Sequence, residues 1–187
     1  MSEPVSRRVV AQRGLVLGGA FATAAALAPL LPVRAALAAS SGDQAVLEAA
    51  LRLEQSAVVA YDAAAQSGVL DRQADSLAKV FREQEQAHAD ALQTALVALG
   101  ARAPAPPKAG EIAGLSRVRT QAGFVRFLIA LELRAVAAYY DAQHKLADPE
   151  LLSLAARIMA NEGQHLALLR PLAGVTAVPH AFERGVA

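Results

Sequence analysis

Two copies of one spaced set of residues limit most strongly what this chain can become. The first copy is Glu54 followed by Glu85-x-x-His88, and the second is Glu132 followed by Glu162-x-x-His165. Glu54 and Glu85 lie 31 positions apart and Glu132 and Glu162 lie 30 apart, so the second copy repeats the first at an offset of 78 and then 77. The neighbours repeat as well. Glu54-Gln-Ser-Ala57-Val58-Val-Ala60-Tyr61 matches Glu132-Leu-Arg-Ala135-Val136-Ala-Ala138-Tyr139, and Ser76-Leu77-Ala78 matches Ser153-Leu154-Ala155. Such a repeat is too long for a solenoid unit and suits a duplicated helical hairpin.

Helices are what the chain is made to form. Apolar residues make up 55% of it, largely Ala, Leu and Val, and β-branched runs of strand length are scarce. Four amphipathic segments follow one another. The first runs from about Asp43 to Gln66 and stops at Ser67-Gly68; the second runs from about Asp71 to Leu99 and ends at Gly100. Ala101 to Gly110 is too rich in proline to be helical. The third helix starts near Thr120 and ends near Lys145. Asp148-Pro149-Glu150 then sets an N-cap, a first-turn proline and a first-turn acid in order, opening a fourth helix that Pro171 closes. Short connections make helices 1–2 and 3–4 antiparallel hairpins, and the stretch from 100 to 120 is long enough to cross between them. The expected fold is all-α: an antiparallel four-helix bundle over 43–170 with one long crossover between helices 2 and 3. Residues 171–187 read as a loose C-terminal tail.

The repeated acids fall on the apolar faces of these helices. Glu54 shares its face with Leu47, Leu51, Val58 and Tyr61, and Glu132 shares its face with Val125, Ile129, Val136 and Tyr139. Glu162 is flanked by Ile158, Met159, Leu166 and Leu169, with His165 on the same side. Glu85 has Phe81, Ala89 and Leu92, although Arg82 makes its stripe less clean. An unpaired carboxylate buried this way costs several kcal/mol or takes up a proton. Two divalent ions would balance four carboxylates, with neutral imidazoles completing the shell. Glu-x-x-His places both side chains on one face about one turn apart.

One Glu on each of two helices and Glu-x-x-His on each of the other two is the ligand pattern of carboxylate-bridged dimetal bundles. On these motifs the chain resembles the ferritin-like superfamily over about residues 43–170. The resemblance implies that Glu85 and Glu162 bridge two metals, that Glu54 and Glu132 are terminal carboxylates, and that His88 and His165 ligate one metal each. Tyr61 and Tyr139, each seven residues after a terminal Glu, are placed to hydrogen-bond a ligand carboxylate; the alternative is two large core residues satisfied elsewhere. Carboxylate and imidazole ligands without thiolate suit two iron ions, or manganese instead. The family's dimetal centres react with dioxygen or peroxide. The implied activities are therefore di-iron oxidase (ferroxidase) chemistry on Fe(II), peroxide consumption, or manganese catalase-like dismutation. The alternatives are a non-catalytic metal-binding or stress-related envelope protein, or a structural bundle with a vestigial site. Oligomers remain open.

The rest of the sequence narrows the setting. There is no cysteine, which excludes disulfides, thiolate catalysis, a rubredoxin-like module and a lipobox anchor. Gln86 and Gly163, not Met, follow the motif glutamates, which removes the haem ligand that bacterioferritin places there. A net charge of +1 with interspersed signs suggests no nucleic-acid partner. Residues 1–38 read as a secretory signal: basic through Arg13, uncharged from Gly14 to Val33, ending in Ala36-Leu37-Ala38. Arg7-Arg8 resembles a twin-arginine signal, although Val10, Ala11 and Gln12 depart from that pattern. The alternative is an uncleaved membrane anchor. Export places the bundle in the periplasm or another extracytoplasmic space. Asp141-x-x-His144, Glu83 and Glu111 read as solvated, His180 has no assigned role, and Gly163 marks either a close backbone approach or a bend.

Overall fold

Local chemistry sets where each helix begins. In the computed structural model, which describes residues 41–186, α1 spans Ser41–Gln66, α2 Arg72–Ala98, α3 Gln121–Ala142 and α4 Pro149–Leu172. The expected signal or anchor at 1–38 lies outside the described residues. The Asp71 carboxylate accepts the Ala74 N–H at 2.8 Å, and Thr120 Oγ1 accepts that of Gly123 at 3.1 Å. Asp148 accepts from Glu150 and Leu151, with Pro149 in the first turn, where no helical partner is lost. After α2, Gly100 takes a left-handed φ of 76°. That turn lets Gly100 and Ala101 return N–H bonds to Val97 and Leu96, satisfying carbonyls the helix end would orphan.

Two ends differ from the sequence expectation. α3 stops at Ala142, not near Lys145, because His144 and Lys145 donate three residues back to Asp141 and Ala142. These tight turns reverse the chain in time for Pro149. α4 continues through Pro171 to Leu172, since a proline in the last turn forfeits only one backbone bond.

α1 packs mainly against α2 and α3 against α4, and the two hairpins meet chiefly across α1 and α3. Between them the crossover, with short 3-10 turns at Ala109–Glu111 and Leu115–Arg117, follows the length of the bundle. Ala101 and Ala103 lie against one core cluster, and Ile112, Leu115 and Val118 against the other. Gln55 Nε2 donates to the Pro104 carbonyl at 3.0 Å and pins the crossover to α1. The duplication is visible in the ties between hairpins. Buried Asp43 accepts the N–H groups of Ala147 and Asp148 at the α3–α4 turn. Gln121, its counterpart 78 residues on, accepts the Asp71 N–H and donates to the Asp71 carboxylate at the α1–α2 turn.

The core has two apolar clusters. Leu47, Leu51, Leu92, Leu96, Tyr139 and Ile158 belong to one, and Tyr61, Phe81, Phe124, Leu128 and Leu169 to the other.

Of the C-terminal stretch expected to be loose, 171–172 finish α4, and residues 173–186 have no helix or strand but are fastened to the bundle. Buried Arg170 pairs with Glu183, the Arg184 guanidinium sits 5.5 Å over the Tyr140 ring, and Val186 N–H donates to the Leu133 carbonyl at 3.1 Å. Gly185 makes this approach possible. With φ at 67°, a Cβ there would lie 2.0 Å from the Leu133 oxygen. The fastening follows from burial of a guanidinium, which needs a carboxylate partner, and the sequence gives no sign that Glu183 supplies it.

Gly163 sits inside α4, and a Cβ added there would meet nothing within 4 Å. No close backbone approach requires it. Gly163→Ala should therefore stabilise the bundle by about 0.5–1 kcal/mol, read from urea unfolding. A loss of stability would instead argue for a functional bend at this turn.

Candidate metal centre

Between the two clusters the bundle brings together all six residues of the repeated set. Glu54, Glu85, Glu132, Glu162 and His165 are buried, and His88 is nearly so. Asp141, His144, Glu83, Glu111 and His180 are exposed and take no part. Four helices contribute: α1 gives Glu54, α2 gives Glu85 and His88, α3 gives Glu132, and α4 gives Glu162 and His165.

The geometry has two halves. His88 Nδ1 faces Glu162 Oε1 at 3.0 Å, Glu54 Oε2 at 3.4 Å and Glu85 Oε2 at 3.6 Å. His165 Nδ1 faces Glu85 Oε1 at 3.0 Å, Glu162 Oε2 at 3.3 Å and Glu132 Oε1 at 3.5 Å. Glu85 and Glu162 thus turn one oxygen to each half, whereas Glu54 and Glu132 serve one half apiece. In each half the four ligand atoms lie within 4.8 Å of one another, close enough to surround a single ion.

Tyrosines hold the outer carboxylates, and they do so crosswise. Tyr61 of α1 donates its hydroxyl to Glu132 of α3, and Tyr139 of α3 donates to Glu54 of α1. Each ring also fills one apolar cluster, so a single side chain both packs the core and aims a carboxylate. His165 has a further partner the sequence did not suggest. Its Nε2 lies 2.6 Å from Gln84 Oε1, which accepts the ring N–H and leaves Nδ1 turned inward. Phe81 stacks on the same ring, centroids 4.1 Å apart. A Gln one residue before the motif Glu was the available signal, but nothing local says which histidine it reaches.

The residues balance their own charge through proton placement. Burial, the largest influence throughout, pushes Glu54 and Glu132 well above the ordinary carboxylate range, and neighbouring carboxylates add to it. Burial pushes Glu85 and Glu162 the same way, but the two imidazoles outweigh it and hold both below that range. For the imidazoles, burial disfavours the charge, yet three surrounding carboxylates prevail: His88 is pushed up to about 12 and His165 up to about 11. Two imidazolium ions therefore face Glu85 and Glu162, which are pushed toward the charged form, while burial pushes Glu54 and Glu132 toward holding a proton.

These residues fit a metal on a further observation. Glu54 Oε2, Glu85 Oε1, both Glu162 oxygens and both Nδ1 atoms are buried and form no hydrogen bond among the described residues, although they face one another as ion pairs. Buried polar atoms are rarely left so, and here they converge. Oxygen and imidazole donors without sulfur are the ligands divalent first-row metals take.

The comparisons with known proteins agree with the architecture. A conserved hypothetical protein, rv2844, from Mycobacterium tuberculosis has a crystal structure similar to this chain, with a TM-score of 0.66 at 18% identity, covering 76% of this chain and 97% of that one. At that identity the likeness speaks for the fold alone. No curated protein matches the chain. The ferritin-like domain family matches residues 42–175, most of the chain. This protein therefore belongs to the ferritin-like domain family.

Proposed function

We propose that this chain is exported and holds two iron ions, or manganese in the same ligands, to oxidise Fe(II) or consume peroxide outside the cytoplasm. One observation carries the reading: Glu85 and Glu162 each present one oxygen to each half of a cluster whose inward atoms converge without a hydrogen bond. In this reading Glu85 and Glu162 bridge, Glu54 and Glu132 hold one ion each, and His88 and His165 each add a nitrogen. Two adjacent redox-active ions supply a two-electron change to dioxygen or peroxide. The protein's part is to hold the six ligands in place, Tyr61 and Tyr139 fixing the terminal carboxylates.

The test is direct. The mature domain is loaded with Fe(II) or Mn(II), bound metal is measured by elemental analysis, and loss of oxygen or peroxide is followed. About two equivalents per chain with turnover is expected; well under one equivalent would sink the dimetal reading, and tight binding without turnover would leave a metal-binding protein that is no enzyme.

Export rests on Arg7-Arg8, the uncharged stretch 14–33 and Ala36-Leu37-Ala38. Arg7→Lys with Arg8→Lys keeps the charge, so it should strand the precursor inside only if the twin-arginine route is used. Mass spectrometry of the envelope fraction should find a mature start near Ala39. An intact Met1 on membrane-bound protein would favour the anchor, and full-length cytosolic protein would defeat export.

A further inference from the structure

The two halves of the cluster, alike in ligands, differ in what surrounds them. His165 is 0% exposed, stacked on Phe81 and bonded through Nε2 to Gln84. His88 is 13% exposed, and no side chain among the described residues bonds its Nε2. The difference originates in the sequence, at two places where the repeat is broken. The counterpart of Phe81, 77 residues on, is Ile158, which has no ring to stack, and the counterpart of Gln84 is Asn161, one methylene shorter. α2 and α4, the helices that carry the two histidines, also approach each other less closely than α1 and α3 do.

A ligand imidazole held by a second hydrogen bond is kept oriented and in one tautomer, and removing such a partner typically weakens metal binding by about 10–100-fold. A histidine lacking that bond and touching solvent can swing away while its carboxylates remain. Resting on the dimetal reading above, we propose that the cluster is functionally unequal. Gln84 and Phe81 lock the His165 half, while the His88 half is where an ion enters, leaves and meets solutes. Gln84 is in this account a positioning residue: it acts only through the His165 ring.

The test follows metal release from the full chain loaded with two equivalents of Zn(II), mixed with a large excess of a colorimetric zinc-binding dye that takes up and reports each ion as it leaves. Release should be biphasic, one equivalent leaving at least about tenfold faster than the other. Gln84→Ala should speed the slow phase about tenfold and leave the fast phase unchanged. Gln84→Glu should restore slow release, because its carboxylate accepts the same ring N–H; a merely structural role would not predict that rescue. Circular dichroism of each variant checks that the helices remain. Both equivalents leaving in a single phase would overturn the inequality and spare the dimetal reading, as would Gln84→Ala acting on the fast phase alone. Failure to load zinc, iron or manganese would end both.

Discussion

Two equivalents of Mn(II) or Zn(II) added to the chelator-treated chain should raise its melting temperature by on the order of 10 °C at pH 8, and by far less at pH 5.5. The asymmetry follows from where protons sit. His88 and His165 have folded-state values raised above the ordinary 6.5, so the stability they contribute is whole below about 6.5 and is lost as pH rises toward the raised values. Glu54 and Glu132 are raised above 4.5, so their contribution also declines as pH rises past that point. Glu85 and Glu162 are lowered, and their contribution is present above 4.5 and lost only on stronger acidification. The chelated chain should therefore be most stable in mild acid and weaken toward pH 8.

Metal reverses that trend, because each ion must displace protons to reach its ligands. Loading near neutrality should release at least the two imidazolium protons, and up to four as Glu54 and Glu132 add theirs. Titration calorimetry in buffers of different ionisation enthalpy counts them directly. Melting curves of the chelated and loaded chain should diverge as pH rises. Coincident melting at pH 8, or binding without proton release, would mean that the ions go elsewhere.

The cluster was legible in the sequence for a physical reason: a carboxylate inside an apolar helical stripe is anomalous, and four at repeated spacing are hard to explain without cations. Helix starts were legible because caps are local, as Asp71, Thr120 and Asp148 illustrate. What could not be read depends on how helices are turned toward one another. The crossed pairs Tyr61–Glu132 and Tyr139–Glu54, and the bond from Gln84 to His165, join residues 71 to 85 positions apart. Spacing along one helix says nothing of its rotation against the next. The charge balance was legible only in part. That buried carboxylates shift toward the protonated form was expected, but not that Glu54 and Glu132 are the pair pushed up or that their carboxylate neighbours push the histidines up as well. The fastened tail was missed because Arg170 and Glu183 make contact through a chain reversal without regular structure.

That charge balance makes one substitution yield opposite results at two neighbouring carboxylates. Glu54→Gln should change the stability of the chelated chain by less than about 1 kcal/mol, since the amide resembles the protonated form toward which burial pushes this carboxyl. Its carbonyl can still accept from Tyr139. Glu85→Gln removes an anion set between two buried imidazolium ions, and breaking a buried pair in this way costs about 3–5 kcal/mol. Metal binding should separate the two again. Glu54 faces only the His88 half, so its loss should leave about one ion bound at the other. Glu85 faces both halves, so its loss should abolish most binding of either ion. Urea unfolding in chelator gives the first comparison and elemental analysis after loading gives the second. Equal penalties in stability would refute the proton placement, and equal loss of metal would refute the division into bridging and terminal carboxylates.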